Sequence, residues 1–133
     1  MLLKLLYNSH MAQQRKTQQR TVIETVLKET DRPLLPIEIL ELAQQEIPSL
    51  GLATVFRAIK DLVAEGDVKP VYIANESPRF ESSRGHHHHF KCVDCESVYD
   101  INSCTGNLNK LLSPGFELLD HDITLYGRCS DCR

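Results

Sequence analysis

The sequence predicts an α+β protein in two parts, a winged helix-turn-helix followed by a small α/β unit. Two observations carry this. Three short amphipathic segments run into two strand-like stretches joined by a turn, and two widely separated Cys-x-x-Cys pairs bracket the remainder. Between the halves, residues 81–95 place a carboxylate, four consecutive histidines and the first Cys-x-x-Cys pair in one short stretch.

The first helix is predicted from Gln18 to about Lys28, with Val22, Ile23, Val26 and Leu27 on one stripe and Thr17 as its N-cap. Thr30-Asp31-Arg32-Pro33 ends it. A second helix starts at Pro36, a residue suited to a first helical turn, with Ile37, Leu40, Leu42 and Ala43 as its apolar face. The third, from about Leu52 to Glu65, buries Leu52, Val55, Ile59, Leu62 and Val63 and stops at Gly66. Strands at 68–74 and 79–82, turned by Asn75-Glu76-Ser77-Pro78, complete a wing. Further on, strands are predicted at 97–101, 116–119 and 123–127, with a helix over 105–112. Residues 1–10, ending in Ser9-His10, read as a non-native start, which gives domains of 11–82 and 83–133.

Composition narrows the function classes. No apolar run approaches the ~20 residues of a membrane span, and no stretch has the form of a secretory signal. The net charge of −3 gives no general attraction to nucleic acid. A DNA-binding face must therefore concentrate positive charge locally, at Arg15, Lys16 and Arg20 or at Arg57 and Lys60. Five cysteines, four of them in Cys-x-x-Cys pairs, point to a reduced cytoplasm and to metal. Cys92, Cys95, Cys129 and Cys132 form a soft tetrahedral set suited to one structural zinc; a disulfide framework and a redox switch are the alternatives. Four adjacent histidines on a strand alternate faces, so His86 and His88 point one way and His87 and His89 the other. One ribbon can then feed two metal sites, the alternative being a solvated tract.

Gly51-Leu52-Ala53-Thr54-Val55-Phe56-Arg57, His86-His87-His88-His89 followed by Cys92-Val93-Asp94-Cys95, and Leu125-Tyr126-Gly127-Arg128-Cys129-Ser130-Asp131-Cys132 together resemble the motifs of the ferric uptake regulator (Fur) family. The resemblance spans about residues 15–133. It implies a homodimeric, metal-responsive repressor of double-stranded DNA that reads a palindromic operator, with the second domain serving dimerisation. It implies a regulatory metal site at Glu81, His87, His89 and Asp100. His86, His88 and His121 match a third metal site, whose usual glutamate is Asn107 here and to which Cys104 is a candidate substitute; Cys104 as a small core residue is the alternative. Ala53, Thr54, Phe56 and Arg57 fall where the family touches DNA, with packing in the core as the other reading of Phe56.

Two departures bear on the metal. The histidine that the family's iron and peroxide sensors carry before the second helix is Leu34 here, and the unbroken histidine run is similar to the zinc-sensing branch. The cysteine frequent in that branch is Glu81. Zinc is therefore the expected effector, with Fe2+ or Mn2+ as alternatives. A zinc hydrolase is disfavoured by the lack of a His-Glu-x-x-His pattern, and a zinc module without DNA binding by the 51–57 segment.

Overall fold

The computed structural model describes residues 2–133, with the side chains described from Leu3 onward. The chain divides into two compact units, the first ending at Ser83 and the second running from Arg84 to Arg133.

In the first unit, α1 spans Leu2–Glu29, α2 Pro36–Ala43 and α3 Leu52–Ala64. The antiparallel strands β1, Val68–Val71, and β2, Arg79–Ser82, pair with Val68 opposite Ser82 and Val71 opposite Arg79. Leu34, just before α2, exchanges two backbone hydrogen bonds of 2.8 Å with Phe80 and so adds a third edge to the wing. The helices close on a core of Ile23, Leu27, Leu34, Ile39, Ala43, Val55, Ile59 and Leu62. At the start of α2 the Glu38 carboxylate accepts the Leu35 N–H at 2.8 Å, satisfying one of the free donors of that helix end.

Four expectations for this unit are corrected. The first helix begins far upstream of Gln18, because residues 2–17 contain good helix formers and no Pro or Gly. Thr17 therefore lies inside it, its hydroxyl donating to the Gln13 carbonyl one turn back, and is not an N-cap. On α2 it is Ile39 that is buried, while Ile37 is 47% exposed. On α3 Leu52 sits at the exposed first position, and Ala58 joins the buried face instead.

The second unit is built on a three-stranded sheet ordered β4-β3-β5, from β3 at His88–Cys92, β4 at Val98–Ile101 and β5 at Thr124–Gly127. β3 and β4 form an antiparallel hairpin that sets His89 opposite Asp100. β5 returns parallel to β3 and sets Cys92 opposite Gly127. A Cβ at Gly127 would approach the Phe90 ring to 3.1 Å, so a larger residue there would require the ring to shift. The helix expected over 105–112 is only a 3-10 turn, Leu108–Leu111. Gly106 and Asn107 enter it with left-handed backbones (φ 64° and 49°), which shortens any helical run. Residues 116–119 form no strand.

Candidate metal and nucleic-acid sites

The clearest donor set is the thiolate clasp. Cys92 ends β3 and Cys95 lies in the turn toward β4, where Glu96 takes a left-handed backbone (φ 65°) and donates its N–H to the Cys92 carbonyl at 3.0 Å. Cys129 and Cys132 form a second turn just after β5, closed by Cys132 N–H to the Cys129 carbonyl at 3.1 Å. The parallel register of β3 and β5 brings the two turns together, and the four sulfurs lie within 4.8 Å of one another. Cys95 and Cys129 sulfurs are 3.8 Å apart, well beyond an S–S bond, and the four thiols gather around one centre rather than in bonded pairs. A tetrahedral ion with Zn–S of about 2.3 Å separates its sulfurs by about 3.8 Å, so the clasp fits zinc.

Electrostatics agree with that fit. Backbone N–H donors of Cys95 and Cys129 hold the Cys92 thiol down to about 6. Cys132 is pushed up to about 12 by its hydrogen bond to Cys129, by burial and by the sulfurs around it. The pocket thus favours one thiolate and resists the next, a conflict that a dication relieves. The Tyr99 hydroxyl, raised above its ordinary value chiefly by its hydrogen bond to Cys129, borders the clasp. Sequence reasoning did not single it out, although its alternation with Val98 along β4 could have pointed to it.

The histidine tract divides between two sides. His87 and His89 have ring centroids 4.9 Å apart, and their Nε2 atoms lie 3.8 and 3.5 Å from Oδ1 of Asp100. The Asp100 side chain is only 3% exposed. Arg84, not anticipated from the sequence, places Nη1 2.9 Å from the other carboxylate oxygen, Oδ2. Glu81 belongs to the first unit, buried on β2 opposite Lys69.

On the other side, His86, His88, Cys104 and His121 converge with their donor atoms within 4.8 Å. His86 and His121 approach through Nε2 atoms at 3.0 Å, and the Cys104 sulfur is 3.2 Å from His121 Nε2. His88 is 3% exposed, and its Nε2 has no hydrogen-bond partner among the described residues. Burial and the neighbouring imidazoles of His86 and His121 hold it below the usual histidine value, which favours the neutral ring, whose Nδ1 accepts the Ile123 N–H at 3.3 Å. Cys104 is exposed, so the buried core role considered for it does not hold. Asn107, also exposed, opens the 3-10 turn.

The residues expected at DNA lie on two helices of the first unit. On α3, Ala53, Phe56, Arg57 and Lys60 are exposed and Thr54 half-buried. Phe56 is 51% exposed, which excludes the core role considered for it. Arg57 donates to the Thr54 hydroxyl at 3.0 Å, which steadies the side chain on its own helix. Arg15, Lys16 and Arg20 are on α1, and Arg20 pairs with Glu65. Lys16, Arg20, Thr54 and Arg57 line one groove between α1 and α3, together with the acidic Glu24 and Asp61.

A winged helix carrying an exposed cationic helix, on a chain whose second unit is built around metal-donor clusters, defines a metal-responsive DNA-binding regulator. The profile of the Ferric uptake regulator family matches residues 11–126, and the chain belongs to that family. It is accordingly a transcriptional regulator and not an enzyme. The ferric uptake regulation protein of Brucella suis is 34% identical over 118 residues, covering 84% of this chain and 82% of that one. The zinc uptake regulation protein of Mycobacterium tuberculosis is 29% identical over 123 residues, covering 90% and 95%. Among solved structures, the Helicobacter pylori ferric uptake regulator, described with three functional metal binding sites, superposes with a TM-score of 0.73 at 21% identity over 99% of this chain and 93% of that one. Among the described residues no helix is long and apolar enough to cross a membrane.

Proposed function

We propose that the chain is a zinc-dependent repressor of metal-uptake genes, acting as a cytoplasmic homodimer on a palindromic operator. The observation that carries the effector site is the buried Asp100 carboxylate facing the Nε2 atoms of His87 and His89. A buried carboxylate beside two imidazoles is a donor set for a dication. Glu81, buried on β2 only three residues ahead of Arg84, is the fourth donor in this reading. Glu81 is the donor contributed by the DNA-binding half, so metal capture biases how the halves are held. An ion can shift that equilibrium only by its difference in affinity between the two arrangements.

Zinc is favoured because two nitrogens and two carboxylates complete a four-coordinate set. Leu34, fully buried in the wing, offers no further imidazole. The two carboxylates also keep Fe2+ and Mn2+ open as a second reading, since hard oxygen donors suit them. Zinc at Cys92, Cys95, Cys129 and Cys132 is structural in either case. His86, His88, Cys104 and His121 make a third site of softer donors, with Asn107 as a further candidate. Dimerisation is supported by exposed Leu111, Phe116, Leu119, Leu125 and Tyr126 in the second unit. Residues 11–82 are assigned to DNA binding and 83–133 to dimerisation and metal binding.

On DNA, Ala53 and Phe56 would contact thymine methyl groups, and Thr54, Arg57 and Lys60 bases or phosphates. Arg15, Lys16 and Arg20 are the phosphate contacts of α1. The test is operator binding by a His87→Ala, His89→Ala double variant with zinc in excess. Loss of metal-dependent affinity is expected; affinity equal to that of the unmodified chain would refute the effector site.

A further inference from the structure

We propose that Arg84 sets the metal selectivity of the effector site by making Asp100 a one-oxygen ligand. The inference rests on the reading of His87, His89 and Asp100 as metal donors.

The carboxylate is divided between two environments. Oδ1 faces both imidazole Nε2 atoms, at 3.8 and 3.5 Å, whereas Oδ2 lies 2.9 Å from Arg84 Nη1. The pair is sheltered, with Asp100 3% and Arg84 29% exposed. A guanidinium is always charged, and this contact is an ion pair by distance rather than a directed hydrogen bond; it balances the charge on Oδ2 and disfavours a second cation at that oxygen. Arg84 precedes the histidine tract by only two residues, and the His87 ring is itself tethered through Nδ1 to the Gly85 carbonyl at 2.8 Å. The arginine and the first imidazole are thus presented by the same turn.

The consequence is a limit on donor count. With Oδ2 held by arginine, Asp100 gives one oxygen and the site totals four donors, the number that zinc prefers. Ions that favour six oxygen-rich positions profit from carboxylates that bind through both oxygens. Arg84 therefore disfavours these ions relative to zinc. Its positive charge weakens every dication to a similar degree, so the ratio between two metals reports geometry while the absolute affinity reports charge. Arg84 is a positioning residue in this scheme and does not touch the ion.

The experiment uses the full chain with zinc in the thiolate clasp and His121→Ala to silence the softer cluster. Co2+ is the spectroscopic probe, and Zn2+ and Mn2+ are the competing ions. With Arg84 intact, bound Co2+ is expected to show the intense visible bands of a four-coordinate site. Arg84→Met should replace them with the weak bands of higher coordination and lower the Zn2+:Mn2+ affinity ratio by about tenfold or more, the usual scale of outer-shell effects. Arg84→Lys, which can still hold Oδ2, should restore much of both. Unchanged bands and an unchanged ratio in Arg84→Met would overturn the proposal. If Co2+ fails to bind stoichiometrically even with Arg84 present, the donor-site reading itself falls, and the inference with it. Should the methionine variant fold poorly, as shown by loss of clasp zinc, X-ray absorption on the zinc-loaded chain with Arg84 intact decides. A four-coordinate shell with one Asp100 oxygen supports the role of arginine; a five- or six-coordinate shell overturns it.

Discussion

The two units are held together by different physics. The first is organised by apolar burial: Ile23, Leu27, Leu34, Ile39, Val55 and Leu62 are all at 0–1% exposure in one contiguous cluster. Among the described residues, the second unit contributes only Cys92 and Val98 to the buried apolar set, while His88, His89 and Lys91 are buried polar groups. A unit of this size rarely gathers enough apolar area to outweigh chain entropy, and metal commonly supplies the difference. On the function proposed above, the half assigned to DNA is expected to fold without an ion, and the half that carries the thiolate clasp is expected to need one.

The largest test of the contrast is metal removal. Structural zinc sites of this kind carry roughly 10–16 kcal/mol of apparent binding free energy at neutral pH. Stripping the clasp with a strong chelator, or Cys92→Ser, should abolish amide-exchange protection across β3–β5 while α2 and α3 stay protected. Simultaneous loss in both units would remove the distinction. Next in size is Leu62→Ala, at a fully buried position on the inner face of α3. It should cost about 2–5 kcal/mol in denaturant unfolding of the first unit and leave clasp zinc content unchanged.

Phe56→Ala separates function from stability within the first unit. The ring is half exposed, so unfolding should shift little, whereas operator affinity should fall by about 1–3 kcal/mol, the scale of a good base contact. A stability loss as large as that of Leu62→Ala would return Phe56 to the core.

The smallest expected effect is the pH response of the second unit with the His-rich cluster metal-free. His88 is held below its ordinary value by burial and by His86 and His121. The unfolded chain then binds more protons than the folded one near the ordinary histidine value, so stability increases with pH through that window. Stability should be fully present above about pH 6.5 and decline as pH falls through and below it. His88→Gln should flatten that part of the profile.

Much of the first unit was legible in the sequence because its signals are local. Pro36 and Gly66 mark where helices begin and end, and the Val55-Ile59-Leu62 spacing fixes a buried face. The upstream reach of α1 was not legible because residues 1–10 read as a non-native start and residues 11–17, with Met11 and Ala12 as their only apolar side chains, show no stripe. Ile37 and Ile39 exchanged roles for a related reason: adjacent apolar residues on so short a helix satisfy more than one face, and only the neighbouring helices decide between them. The 3-10 turn at Leu108–Leu111 was legible in part: Gly106 and Asn107 are residue types that readily take the left-handed backbone, which breaks a helical run.

By itself the sequence determined the donor types, their spacing and the order of the helices and wing. These follow from side-chain chemistry and from periods of two or 3.6 residues, which need no knowledge of distant neighbours. Only the tertiary structure decided that β5 runs parallel to β3, that Cys104 joins His121 and not the core, and that Arg84 takes one oxygen of Asp100. Each of those is a contact between residues remote in the chain, fixed by strand register and burial, and no local pattern encodes it.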